Sequence, residues 1–191
     1  MNKPITGLLL VLFMFLASCA KEVPPIQYYR IGMETPQVQT TAFPVYESLK
    51  VTVRGANNSI YYTDETYGKN PFQFSRWSTS PNDMLMDKLV NAIQKSGLST
   101  HVLSSISSGA AQYLLEIGIQ DLSLHMQQET AEGKVALWAS LLKTKDGHVL
   151  KSSGFECGIP VKGPVNAQGA VSAINQALDV CTLRLVAWLQ E

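Results

Sequence analysis

The chain has 191 residues, with 15 basic and 15 acidic side chains and 46% hydrophobic residues. Lys and Arg are scattered singly, so the basic stripe that a phosphate backbone requires is missing and nucleic acid is excluded as a partner. The same balance leaves no electrostatic patch for docking on anionic lipid, and roughly 170 residues behind the leader suffice for one domain but hardly for two.

Residues 1–18 read as an export signal: Lys3, then an apolar run from Gly7, closed by Leu16-Ala17-Ser18. The run is far shorter than the roughly 20 apolar residues that a bilayer span needs. Leu16-Ala17-Ser18-Cys19 resembles a lipobox, which implies cleavage before Cys19 and acylation of that cysteine on its sulfur and then its amine. Several acyl chains hold far more firmly than one. Ala20, where an aspartate is the retention signal at the inner membrane, points to an outer-membrane anchor facing the periplasm.

Residues 19–26, with Pro24-Pro25, form a lipidated N-terminus and stiff tether of on the order of 20 Å. A single domain follows over 27–191. Gln27–Met33 is expected to be the first strand. Leu49–Arg54 alternates strictly between apolar and polar residues, and Ser59–Thr63 is expected to return beside it as a hairpin across Gly55-Ala56-Asn57-Asn58. Asp64–Ser80 reads as mostly irregular. Ser80-Pro81-Asn82-Asp83 predicts a helix start, with Ser80 as N-cap, Pro81 at the first helical position and Asp83 reaching back. That helix runs to Gly97, burying Leu85, Met86, Leu89, Val90 and Ile93 and turning Asp87, Lys88, Asn91 and Lys95 to water.

Thr100–Leu103 is a short strand and Ser104–Gly109 a Ser-rich loop. Tyr113–Met126 changes apolar phase near Gln120, which predicts a bulge in one long strand. Val135–Thr144 and Val149–Ile159 form a hairpin across Asp146-Gly147. Asn166–Glu191 is a second amphipathic helix whose apolar stripe includes Cys181, while Phe155, Cys157 and Ile159 share a strand face. The architecture expected is α+β: a mixed, mostly antiparallel sheet with two amphipathic helices packed on one face. Cys157 and Cys181 are an even pair in an oxidising compartment, equally readable as a disulfide or as two small buried hydrophobes.

Nothing in the sequence assembles a catalytic centre. His101, His125 and His148 lack metal-ligand spacing, no cofactor motif occurs, and Ser104–Gly109 lacks the strand-turn-helix setting of a nucleophilic serine. The expectation is a protein that is not an enzyme and works by contact. Tyr61, Tyr62, Tyr67, Phe72 and Phe74 are the surface candidates for touching lipid or protein. Trp77 is read either as an interface anchor or, in preference, as core packing beside the helix.

The order of features resembles the ABC-type transport auxiliary lipoprotein family. Those features are the lipobox, Tyr28-Tyr29-Arg30-Ile31 as a Tyr-containing first strand, a hairpin over Val51–Tyr62 and Arg76-Trp77 ahead of the helix begun by Pro81. Tyr113-Leu114, Val135–Leu142 with Trp138, and a long C-terminal helix complete the match. Pro44-Val45-Tyr46-Glu47-Ser48-Leu49 keeps only the proline and an aromatic of the family's Pro-x-Tyr-Leu-Asp-Arg-like stretch. The resemblance implies a non-enzymatic auxiliary of a mammalian-cell-entry-type lipid transport system, with protein partners in the envelope and with self-association as a further option. The competing reading is a structural or assembly lipoprotein of an outer-membrane or secretion complex.

Overall fold

The computed structural model describes residues 23–34, 36–64, 66, 68–127 and 130–191; Cys19 and Tyr67 lie outside them. Its strands are β1 (Gln27–Tyr29), β2 (Tyr46–Arg54), β3 (Ser59–Asp64), β4 (Gly68–Trp77), β5 (Ser99–Ser104), β6 (Tyr113–Gln127), β7 (Thr130–Lys143) and β8 (Val149–Pro160). The helices are α1 (Pro81–Ser96) and α2 (Ala167–Gln190). All eight strands form one mixed sheet in an α+β domain.

β6 is the spine. On one side it pairs antiparallel with β7, which pairs antiparallel with β8. On its other side lie β2 and then β3, both parallel to it, through Leu49↔Tyr113 to Arg54↔Gly118 and Tyr61↔Ser123 to Asp64↔Met126. The sheet therefore forks. β5 joins β2 in parallel on one branch, and β4 joins β3 antiparallel on the other, with β1 parallel at its edge.

This corrects the expected hairpin between β2 and β3. Residues 55–58 do not reverse the chain; they form a sideways step after which it continues in the same direction along β6. The step fits a bulge in β6, where Ile119 pairs with Leu137 but Asp121 already pairs with Ala136, leaving Gln120 over. Gly55 has φ 113°, and a Cβ there would lie 2.5 Å from the Ile119 carbonyl oxygen, so the close approach needs glycine. The bulge itself was legible from the phase slip. Asp64–Ser80 is also corrected: most of it is β4, disguised by Gly68 and by Pro71, which is tolerated because β1 covers only Ser75–Trp77.

α1 packs on β2 and β5, and α2 on β7, β8 and β6, while the helices touch each other. Leu49, Val51, Leu115, Ile117, Leu137 and Leu141 supply the sheet side of this core. Gly133 lets α2 approach closely, since a Cβ there would lie 2.5 Å from the Ile174 nitrogen. Cys157 and Cys181 are joined as a disulfide with a Cα–Cα distance of 5.9 Å, tying β8 to α2. α2 is long and apolar enough to cross a membrane by length and composition, but its stripe of Ile174, Leu178, Cys181 and Leu185 is fully buried.

Asn166 caps α2 by accepting from the Gly169 amide at 2.9 Å. Ser80 is the N-cap of α1, as expected, but its side chain makes no capping bond; Pro81 and Asp83 occupy the first turn and Gly97 closes the helix at φ 70°. Lys88 is the larger correction. It does not face water but is 2% exposed, pairing with Asp179 of α2 at 2.6 Å and donating to the carbonyls of Gly32 at 3.0 Å and Glu34 at 2.6 Å. The first strand accordingly ends early, because residues 30–34 hydrogen-bond to the helices rather than to a strand: Gly32 donates to Asn175 Oδ1 at 2.9 Å, and Asn175 donates to the Arg30 carbonyl at 3.2 Å.

Candidate functional site

Beside the contact of Gly55 with Ile119, the step between β2 and β3 and the bulge in β6 leave a half-open pocket of about 310 Å³. Gly55, Asn57, Ser59, Tyr61, Lys69, Trp77 and Asp121 are among its walls. Asn82 of α1 braces the step by accepting from the Ala56 amide at 3.0 Å and donating to the Ala56 carbonyl at 2.9 Å. The Trp77 amide donates to the Asn58 carbonyl at 2.8 Å. Thus the cavity's floor is held by backbone and helix rather than by side-chain chance.

Beyond the bulge, Asp121, Ser123 and His125 fall on one face of β6 by strand alternation. Asp121 Oδ1 accepts from Lys69 at 3.0 Å and from Ser123 at 2.8 Å, and its Oδ2 lies 2.6 Å from His125 Nε2. Burial pushes the Asp121 carboxyl up, but hydrogen bonds from Ser123, Lys69 and His125 and the charge of Lys69 outweigh it and hold the group below its ordinary range. Asp121 stands between Ser123 and His125. The serine hydroxyl donates to the acid and not to the imidazole, so the nucleophile–base contact of an acyl-transfer site is not made. His101 and His148 are exposed elsewhere, and among the described residues no three His, Cys, Asp or Glu side chains could hold a metal together.

The predicted aromatic surface is divided. Tyr61 belongs to the cavity, accepting from Asn57 Nδ2 at 2.9 Å, with the Lys69 ammonium 5.2 Å from its ring centroid. Tyr62 points to the opposite face of β3 and packs against Phe72 with centroids 5.0 Å apart, lining a separate depression with Met126 and Val165. Phe74 is half-buried, and Trp77 is 1% exposed.

Lys69 and Ser123 are gathered here around Asp121 without having been singled out from sequence, and His125, weighed there only as a metal ligand, joins them. The alternation Asp121-x-Ser123-x-His125 on a strand was the available signal, but Lys69 lay in the stretch read as irregular. On the sheet face away from the helices, Trp138 is 47% exposed and is paired across the ladder with Gly118 on one side and Gly154 on the other. Its ring lies 3.5 Å from where a Gly154 Cβ would stand, so the glycines give a flat indole platform.

A forked mixed sheet carrying two helices, with a half-open pocket at the fork, defines an α+β domain of a type seen in solved structures. A Xanthomonas campestris protein of the DUF330 family is similar with TM-score 0.73 at 22% identity, covering 85% of this chain and 93% of that one. An uncharacterised protein is similar with TM-score 0.66 at 13% identity, covering 87% and 99%. No curated protein matches the chain. The model of the ABC-type transport auxiliary lipoprotein component matches residues 49–185, and the chain belongs to that family.

Proposed function

We propose that this protein is a periplasm-facing lipoprotein, anchored in the outer membrane through acyl chains on Cys19, that serves as a non-enzymatic docking component of an ABC-type intermembrane lipid transport system. The family match over residues 49–185 carries this reading. The Leu16-Ala17-Ser18-Cys19 sequence and Ala20 support the anchor and its membrane. A close-packed body clipped by the Cys157–Cys181 disulfide suits a part that holds shape while partners bind. Contacts with those partners fall to exposed groups such as Trp138 rather than to Trp77, which is core.

Deletion of the gene tests the role. Increased sensitivity to detergent, together with crosslinking to a mammalian-cell-entry-domain protein or its membrane partner, is the expected result. An unaltered barrier with no such crosslink refutes it.

A further inference from the structure

The way the chain enters the domain decides which end of the domain faces its anchor. β1 runs parallel to β4, with Gln27↔Ser75 and Tyr29↔Trp77, so the residues ahead of Gln27 head back toward the start of β4 at Gly68. Gln27 stands eight positions after Cys19, and Pro24-Pro25 favours an extended course between them. At about 3.1 Å per residue that stretch reaches about 25 Å, while the strand from Ser75 back to Gly68 covers about 23 Å. An extended tether therefore delivers Cys19 about level with the turn between β3 and β4, with almost no slack.

That end of the sheet carries its own apolar surface. Asp64 pairs with Gly68 and with Met126, Gln127 with Thr130, and Glu132 with Pro160, so the ends of β3, β6 and β8 come together there. Tyr62, Pro71, Phe72, Met126 and Val165 line an open depression of about 580 Å³, and Asp64 and Gln73 complete its wall. α1 lies on β2 and β5 and α2 mainly on β7 and β8, so neither helix fills it. Tyr62 and Phe72 pack on each other and are only partly buried, and Val165, in the loop before α2, is 56% exposed. Aromatic and aliphatic groups with polar neighbours at their edge suit the boundary between headgroups and acyl chains. The opposite end, where β2 and β6 begin, exposes Phe43, Val45 and Val149, but the tether leads away from it.

We infer that the anchored domain seats this depression on the lipid bilayer that holds its acyl chains, with Tyr62, Phe72, Met126 and Val165 at headgroup level. The inference rests on the proposed acylation of Cys19 and adds a fixed orientation to it: the sheet stands on the membrane, and the start of β2 and β6 points away into the periplasm.

Cys157 and Cys181 are bonded to each other, so Cys19 is the thiol through which the mature domain can be coupled to a maleimide lipid. The coupled domain, with ¹³C-methyl Met and Val, is placed on phosphatidylethanolamine–phosphatidylglycerol nanodiscs doped with a lipid whose headgroup bears a nitroxide. Met33, Met84, Met86 and Met126 are the methionines behind the leader. Paramagnetic broadening should single out Met126 and Val165 and spare Met33, Val45 and Val149. Val165→Asp, at an exposed position, should lower the ratio of seated to free domain about tenfold, as for one valine side chain kept out of an apolar medium, and Val165→Leu should retain it.

Broadening of Met126 and Val165 no greater than that of Met33, Val45 and Val149, broadening greatest at Val45 and Val149, or a pattern unchanged in Val165→Asp overturns the inference and leaves the anchor standing. The mass of the N-terminal peptide from cells tests the anchor separately: an unacylated Cys19 overturns that reading, while the coupled domain still decides whether this surface seats on lipid.

Discussion

Replacing Lys88 by Met isolates the interaction that joins both helices to the N-terminal strap. The substitution keeps length and apolar stem but deletes the ammonium, which lies 2.6 Å from Asp179 and donates to the Gly32 and Glu34 carbonyls. Charged hydrogen bonds are worth roughly 1.5–3 kcal/mol each. Here the sum is discounted, because the Asp179 side chain is 41% exposed and regains water, and residues 32 and 34 are themselves exposed. A loss of about 2–3 kcal/mol follows for Lys88→Met. Asp179→Asn leaves the ammonium, at 2% exposure, with neutral oxygen acceptors and no counter-charge and should cost at least as much, about 3 kcal/mol. Urea unfolding at neutral pH, followed by circular dichroism, measures each change. The double variant should be less destabilised than the two single losses added together. A Lys88→Met protein within about 0.5 kcal/mol of the parent would refute the reasoning, since that is the range of ordinary surface changes.

Removing the Cys157–Cys181 bond by a double Ala substitution should cost about 3 kcal/mol, given a sequence separation of 24, as read by the same urea midpoint; free thiols on the exported native protein would contradict the bond itself. Gly133→Ala drives a methyl to 2.5 Å from the Ile174 nitrogen and should lower stability by about 2 kcal/mol or more, whereas Gly147→Ala, with nothing within 4 Å of the new atom, should cost only the strain of its φ of 70°. Because its neighbours hold Asp121 below the ordinary carboxylate range, its cluster stabilises the fold above that range and loses its effect as pH falls through the lowered pKa. Asp121→Asn should therefore destabilise at pH near 7, and the difference from the parent should shrink in strong acid; a difference independent of pH would contradict the charge account.

The helices and the β6–β8 meander were legible because each carries its own period: α1 begins at Pro81 as read, Asn166 caps α2, and the phase slip at Gln120 marks the bulge. What misled was punctuation. Gly55-Ala56-Asn57-Asn58 has the composition of a turn, yet direction is set by which strand accepts the ladder, and both β2 and β3 found β6. Pro71 and Gly68 argued against a strand where an edge position made both tolerable. Lys88 occupies a polar position of its helix wheel, and only the strap laid over it, residues 30–34, turns that position inward. The cavity failed to show for the same reason: its walls come from β3, β4 and β6, and Tyr61 meets Lys69 and Asp121 only after the sheet has forked. Sequence alternation separated Tyr61 from Tyr62, so the aromatic surface was never one surface.

Action by contact from an acylated N-terminus, as proposed, depends on the anchor. Its most direct test is complementation of the deletion strain by two exported forms, the native chain and Cys19→Ser behind a non-lipoprotein leader, read as survival in detergent. The anchored form should restore resistance and the freely diffusing form should not, at equal periplasmic level. Full rescue by the unacylated protein would contradict the account.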